Sequence, residues 1–252
     1  MSVIDAIGGT ASGGTLYGIG VGPGDVRYLT LRAAALIEKV DVIAYFAKRG
    51  RVGNARAIVS PIMRPGRKEL RLEYPLTDEI PVADPTYQAQ IRDFYEASAS
   101  AISAQLADRQ SVGLLSEGDP FFYGSFMHMW RRLEGSHPVE VVPGVTGMSG
   151  CWTRANQPIT WGDDILTVFP GTLDVETLAD RLAATDAAVI MKLGRNLAKV
   201  RRAIERAGLL SRAIYVERGT MENERVAPLA EIADDSAPYF SVVIIPGNGR
   251  RL

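Results

Sequence analysis

Short apolar runs alternate with longer stretches of mixed polarity along the first half of this chain. Residues 15–21, 41–46, 111–115 and 139–142 are largely apolar and 4–7 residues long, as expected of strands covered on both faces. Between them, residues 31–39, 85–107 and 121–133 read as helices. In the second of these, Ile91, Phe94, Tyr95, Ile102 and Leu106 recur close to helical spacing, which predicts a face packed on the core. Thr30 stands where an N-cap belongs, just before the first helix. From Thr146 the pattern changes: a helix over 146–154 precedes strands at 165–169, 187–192, 213–217 and 241–245, with helices at 175–184 and 197–207 among them. Strands separated by helices predict an α/β protein with a parallel sheet in its first part. Without a long linker, the pattern predicts two closely packed α/β domains, 1–145 and 146–252, each a sheet flanked by helices.

Composition narrows the function class. The 252 residues are 46% hydrophobic and 23% charged, ordinary for a globular protein with a full core. No apolar run approaches the ~20 residues of a membrane span. The first 14 residues lack a basic start followed by an apolar block, so they read as a frayed tail and not a secretory signal. A single cysteine, Cys151, excludes an intramolecular disulfide and a cysteine-based zinc site. It reads as a small core residue. With only His128 and His137, no metal site is expected. A cytoplasmic protein is the expectation.

The net charge of −1 conceals an uneven distribution. Lys48, Arg49, Arg51, Arg56, Arg64, Arg67, Lys68 and Arg71 cluster, with Glu69 the one acid among them. Such a run is either a solvated face or a surface for an anion. It lacks the interleaved aromatics of a single-strand nucleic-acid platform. A small polycarboxylate fits, because guanidinium forks match carboxylates in pairs.

Three loops follow predicted strands. Gly18, Gly20, Gly22 and Gly24 alternate ahead of Asp25, and glycines let a backbone turn tightly and approach a ligand. The spacing is not the dinucleotide fingerprint, since Pro23 and Asp25 stand where glycines would be required. The acidic residue expected at the second strand's tip is absent, because that strand runs into Ala47-Lys48-Arg49. No Gly-Lys-Ser/Thr follows, which excludes a phosphate-binding P-loop. The second loop is Ser116-Glu117-Gly118-Asp119-Pro120-Phe121-Phe122-Tyr123-Gly124, and the third is Val141-Val142-Pro143-Gly144-Val145-Thr146-Gly147-Met148-Ser149. Each contains ordinary turn dipeptides. Their shared place at strand ends points to one ligand with ribose-like and amino-acid-like groups.

These motifs resemble the tetrapyrrole methylases, the class III S-adenosylmethionine-dependent methyltransferases. The matching elements are Gly18-x-Gly20-x-Gly22-Pro23-Gly24-Asp25 with Leu29-Thr30, Gly118-Asp119-Pro120 with Tyr123-Gly124, and Val142-Pro143-Gly144-Val145-Thr146. Val189-Ile190-Met191-Lys192 and Glu217-Arg218-Gly219-Thr220 also match. Within the family, Tyr45-Phe46-Ala47-Lys48 followed by Gly53-Asn54-Ala55 resembles the branch that methylates C20 of precorrin-2 in corrin (cobalamin) synthesis. The resemblance implies a homodimer with S-adenosyl-L-methionine folded into an interdomain cleft and S-adenosyl-L-homocysteine as product. It implies that Pro23, Glu117, Gly118, Asp119 and Phe122 line one side of the cofactor, and Thr146, Gly147, Met191 and Gly219 the other. Family members often carry glycine or an apolar residue where Glu117 stands, so its backbone is the firmer contact. A precorrin carries many carboxylates, and Lys48, Arg49 and Arg51 are the candidates to meet them. No nucleic-acid or membrane partner and no metal is implied, and no catalytic residue is assigned. The alternatives are a methyltransferase of this fold acting on ribosomal RNA ribose or a diphthamide precursor, a cobalt-bearing precorrin-2 as substrate, and a binding module without turnover.

Overall fold

The computed structural model describes residues 9–75 and 84–249. Part of the expected tail, residues 1–8, lies outside them, as do residues 76–83. Two units divide the chain, Met1–Thr146 and Gly147–Leu252.

The first unit is a five-stranded, wholly parallel sheet. Its strands are β1 (Leu16–Gly20), β2 (Val42–Lys48), β3 (Lys68–Tyr74), β4 (Val112–Ser116) and β5 (Val139–Val142), in the order β3-β2-β4-β1-β5. β1 lies between β4 and β5, with Leu16 beside both Val112 and Val139. The helices are α1 (Leu31–Lys39), α2 (Asn54–Val59), α3 (Pro85–Ala107) and α4 (Phe126–Leu133). The expected cap is present: Thr30 Oγ1 accepts the Ala33 N–H at 3.1 Å. Leu16, Val42, Ala44, Val112 and Leu114 form one core with Tyr95, Ala99 and Ile102 of α3 and Phe126, Met129 and Leu133 of α4. Gly18 lies on this face because a Cβ there would run into the Phe126 ring. Ile19 and Val40, the residue that ends α1, lie over Gly113 on the opposite face.

Two local expectations change. The helix expected from Phe121 begins at Phe126, because Asp119 folds residues 119–121 into an Asx turn and Tyr123 adopts a positive φ of 54°. The basic stretch contains an edge strand, β3, pairing with β2 along its length.

The second unit holds a mixed sheet, ordered β6-β7-β10-β8-β9. Its strands are β6 (Leu166–Pro170), β7 (Ala187–Met191), β8 (Ile214–Glu217), β9 (Arg225–Pro228) and β10 (Ser241–Ile245). Only β6 and β7 pair in parallel; β10 runs antiparallel between β7 and β8. Helices α6 (Val175–Ala183) and α7 (Leu197–Arg206) cover one face through Leu178, Leu182, Leu197 and Val200. Helix α5 (Gly147–Arg154) covers the other, where Cys151 packs with Val189, Val216 and Ile244. The architecture is therefore two α/β units, each a sheet flanked by helices.

Candidate functional site

β1 and β4 are neighbours, yet their outgoing connections pass over opposite faces of the sheet. Open α/β sheets bind ligands outside the carboxyl ends of strands at such a point. The loops after β1, β4 and β5 converge there. Gly22 and Gly118 exchange backbone hydrogen bonds of 3.3 and 2.8 Å across the β1 and β4 loops. Gly118 needs glycine at its φ of 64°. Gly20 leaves no room for a side chain: a Cβ would sit 2.6 Å from the Gly144 nitrogen and 2.8 Å from the Gly118 carbonyl oxygen. Gly144 is confined by the same neighbours, Gly118 and Gly20. The three loops identified from sequence thus meet backbone to backbone.

Asp119 ties this junction. One carboxylate oxygen accepts the Phe121 N–H at 2.9 Å, and the other accepts the Gly144 N–H from the β5 loop at 3.0 Å. Its carboxylate is therefore part of the loop scaffold. Pro23 is buried, and Phe122 is half-buried with its N–H on the Asp119 carbonyl. Phe121, Tyr123 and Val145 expose apolar surface beside the glycine-opened backbone, at 47%, 47% and 37%. Thr146 is half-buried at the end of the first unit.

The remaining implied residues belong to the second unit. β6, β7 and β8 run in one direction, so their carboxyl ends share an edge. Lys192, Arg218 and Thr220 hold positive φ angles of 58°, 50° and 72° there, sparsely populated conformations that cluster at functional sites. Met191 ends β7, half-buried. Gly219 is buried, and a Cβ would come within 2.9 Å of Cys151 Sγ. Burial pushes the Cys151 thiol up to about 12, outweighing a hydrogen bond from the Gly219 backbone. This thiol is a packing group. Gly147 opens α5, and no atom lies within 4 Å of where its Cβ would stand.

The basic cluster separates into structural and outward-facing members. Arg56 makes a forked pair with Glu69 at 2.9–3.1 Å, holding α2 on β3. Arg64 pairs with Glu38, and Arg67 donates to the Ile37 and Val40 carbonyls at the end of α1. Lys68 reaches Gln110 at 2.7 Å. Arg71 donates to the Arg51 carbonyl at 2.6 Å and the Lys48 carbonyl at 3.4 Å, and pairs with Glu73. Lys48, Arg49 and Arg51 are exposed. Among the described residues neither the Arg49 nor the Arg51 side chain makes a hydrogen bond or ion pair. Burial raises the Glu117 carboxyl above the ordinary glutamate value, and the nearby Ala55 N–H and Asn54 side chain, at the start of α2, oppose that shift. This nearness was not legible from sequence, because the adjacency of β2 and β4 is a long-range pairing.

His128 stacks on Tyr95 with centroids 4.1 Å apart, and His137 Nε2 is 2.8 Å from Ser103 Oγ. Among the described residues no three of His, Cys, Asp or Glu gather as a metal site would require. No described helix is long and apolar enough to cross a membrane.

The family model of the tetrapyrrole (corrin/porphyrin) methylases matches residues 15–233. The chain belongs to this family. Among these methylases, it is 55% identical over 234 residues to a precorrin-2 C(20)-methyltransferase of Sinorhizobium sp, covering 93% of this chain and 96% of the relative. It is 26% identical to the cobalt-precorrin-2 C(20)-methyltransferase of Salmonella typhimurium, covering 92% and 96%. The fold matches uroporphyrin-III C-methyl transferase from Thermus thermophilus, solved in complex with S-adenyl homocysteine. That likeness has a TM-score of 0.64 at 22% identity and covers 92% of each chain.

Proposed function

We infer that this methylase transfers the methyl group of S-adenosyl-L-methionine to C20 of precorrin-2, giving precorrin-3A in cobalamin biosynthesis. The observation that carries this reading is the 55% identity, nearly end to end, with the Sinorhizobium precorrin-2 C(20)-methyltransferase. The residues fit the cofactor. Its ring needs apolar surface and its ribose and amino-acid ends need polar backbone, and the first unit's loop junction carries exposed Phe121, Tyr123 and Val145 beside glycine-opened main chain. Backbone groups of Pro23, Glu117, Gly118, Asp119 and Phe122 would hold one side of it, with Thr146, Gly147, Met191 and Gly219 on the other. The open space beside Gly147 is room for such an approach.

When bound, S-adenosyl-L-methionine supplies a sulfonium methyl already activated for transfer. The protein's residues have the task of alignment, which in favourable cases lowers a barrier by about 7–11 kcal/mol. The Asp119 bridge between two loops serves this by fixing the main chain that meets the cofactor. Lys48, Arg49 and Arg51 meet the peripheral carboxylates of the substrate as charge-assisted hydrogen-bond donors. The enzyme works as a homodimer, a reading that rests on the family resemblance, and as a cytoplasmic protein without nucleic acid or membrane, a reading that composition supports. Light scattering that finds a particle of one chain's mass at micromolar concentration counts against the dimer. The test of function is stoichiometric: enzymatically generated precorrin-2 should yield one S-adenosyl-L-homocysteine per tetrapyrrole consumed. Turnover with ribosomal RNA or an elongation factor, and none with precorrin-2, would overturn the reading.

A further inference from the structure

Residues 218–224 connect β8 to β9, and Gly219 lies among them. The structure fixes this connection at three places. At its start the Arg218 N–H reaches the Phe240 carbonyl at 2.7 Å. Beside it, one oxygen of the Glu217 carboxylate accepts from the Arg218 guanidinium and the other from the Tyr215 hydroxyl, both at 3.0 Å. At its end, Glu224 turns back on the loop. One carboxylate oxygen accepts the Thr220 N–H at 2.7 Å, and Arg154 Nε, from the end of α5, lies 2.8 Å from both oxygens. The Glu224 side chain is the sheltered partner of this pair, 18% exposed against 50% for Arg154.

Between these fixed points the backbone takes uncommon conformations. Arg218, Thr220 and Asn223 hold φ angles of 50°, 72° and 59°. A β-branched residue such as Thr220 rarely enters the left-handed region, and such conformations persist where surrounding contacts over-determine them. The bond from the Thr220 N–H to Glu224 is such a contact. Gly219 stands between two left-handed residues, and a Cβ there would lie 2.9 Å from Cys151 Sγ and 3.2 Å from Cys151 Cα on α5. Glu224 thus ties the turn around Gly219 to the helix that opens with Gly147.

We propose that Glu224 is a positioning residue for the cofactor: with Arg154 it holds the Arg218–Thr220 turn against α5, so that the main chain around Gly219 is pre-set for S-adenosyl-L-methionine. This deepens, and rests on, the reading that Gly147 and Gly219 line the cofactor. A turn that relaxed in the free protein would have to be ordered again at every binding event, and that cost would be subtracted from affinity. Glu224 touches no reacting atom; it acts through Thr220 and Arg154.

The test uses the full chain with Glu224→Ala, Glu224→Gln and Arg154→Ala, and Glu176→Ala as control. Glu176 pairs with Arg206 on the surface of the same unit, so its loss removes an ion pair without touching the β8–β9 connection. In calorimetric titration the dissociation constant of S-adenosylhomocysteine should rise about five- to fiftyfold in Glu224→Ala. It should rise less in Glu224→Gln, which keeps an oxygen for the Thr220 N–H, and stay at the wild-type value in Glu176→Ala. Amide hydrogen exchange over residues 218–224 should accelerate in Glu224→Ala. The Michaelis constant should rise for S-adenosyl-L-methionine and hold for precorrin-2, a split that a general loss of stability would not give. Where Glu224→Ala does not fold, Arg154→Ala carries the test. It leaves the Thr220 bond and releases α5, and should raise the S-adenosylhomocysteine constant about two- to fivefold. Wild-type affinity in Glu224→Ala, or in Arg154→Ala where Glu224→Ala does not fold, would overturn the proposal. Unchanged exchange over 218–224, or an equal rise in both Michaelis constants, would do the same. Wild-type protein that does not bind S-adenosylhomocysteine would instead refute the cofactor reading on which the proposal rests.

Discussion

Replacing Gly20 by alanine should open the loop junction that organises the first unit's strand ends. Gly20 is absent from the positive-φ residues, so the backbone accepts an L side chain and the cost is steric. The added Cβ would stand 2.6 Å from the Gly144 nitrogen, 2.7 Å from its Cα and 2.8 Å from the Gly118 oxygen. All three are main-chain atoms, so no side chain can swing aside. Carbon contacts are comfortable at roughly 3.5–4.0 Å, so the loops must separate by about 0.8 Å. That takes the Gly144 N–H, now 3.0 Å from Asp119, out of hydrogen-bond reach. Overpacking costs about 1–3 kcal/mol, and a hydrogen bond to a charged group adds about 1.5–3. Gly20→Ala should therefore lose about 2.5–6 kcal/mol of stability in urea denaturation. Calorimetric titration with S-adenosylhomocysteine should show at least about tenfold weaker binding, the equivalent of 1.4 kcal/mol. Gly135→Ala, whose Cβ would meet nothing within 4 Å, is the control. A Gly20→Ala protein with wild-type denaturation midpoint and affinity would refute the reasoning that the three loops form one interlocked cradle.

Four further outcomes follow from the same geometry. Gly147→Ala fills space empty of protein atoms, so stability should stay within about 1 kcal/mol of wild type while S-adenosylhomocysteine affinity falls; unchanged affinity would remove Gly147 from the site. Asp119→Ala should weaken that ligand by about 1–3 kcal/mol through loosening of the Gly144 loop, and calorimetry at wild-type affinity would contradict this. Arg49→Ala/Arg51→Ala should raise the Michaelis constant for precorrin-2 and reduce its salt sensitivity, each exposed pair contributing about 0.2–1 kcal/mol, with turnover and cofactor affinity little changed; wild-type kinetics across a salt series would make these residues a solvated face. Asp41 has its pKa lowered first by the Ser111 hydroxyl and then by the Ser111 N–H, each 2.7 Å from its carboxylate. A depressed folded value means that its stabilisation is present above the ordinary aspartate value of 3.8 and is lost as pH falls through the folded one. Asp41→Asn should therefore flatten the acid limb of the stability profile, and an unaltered limb would exclude Asp41 as a contributor.

Local signals carried much of the fold. The Thr30 cap, the apolar runs and the glycine loops are short-range features, and most of the strands and helices lie within a residue or two of where the pattern puts them. The failures have long-range causes. β3 does show the alternation of a strand, with Leu70, Leu72 and Tyr74 turned to the core, but Lys68, Glu69, Arg71 and Glu73 masked it as a charge run. As an edge strand, β3 tolerates such residues. The same charges proved divided in role: Arg56, Arg64, Arg67, Lys68 and Arg71 hold the framework, and nothing local distinguishes them from Arg49 and Arg51. The three loops were legible as ligand-binding candidates, whereas their direct packing on one another was not, because it depends on β1 lying between β4 and β5. Glu117 was visible as a departure from an apolar or glycine position. Its nearness to Asn54 and Ala55 was not, since 60 or more residues separate them in sequence.

The most direct measurement of the central claim is the position of the transferred methyl group. Purified protein, enzymatically generated precorrin-2 and S-adenosyl-L-methionine with an isotope-labelled methyl would be combined, and the product examined by nuclear magnetic resonance and mass spectrometry. The account predicts a single added methyl whose labelled carbon is bonded to C20, with S-adenosyl-L-homocysteine formed in equal amount. Label on another ring carbon, or an unmodified tetrapyrrole from protein that binds S-adenosylhomocysteine, would contradict it.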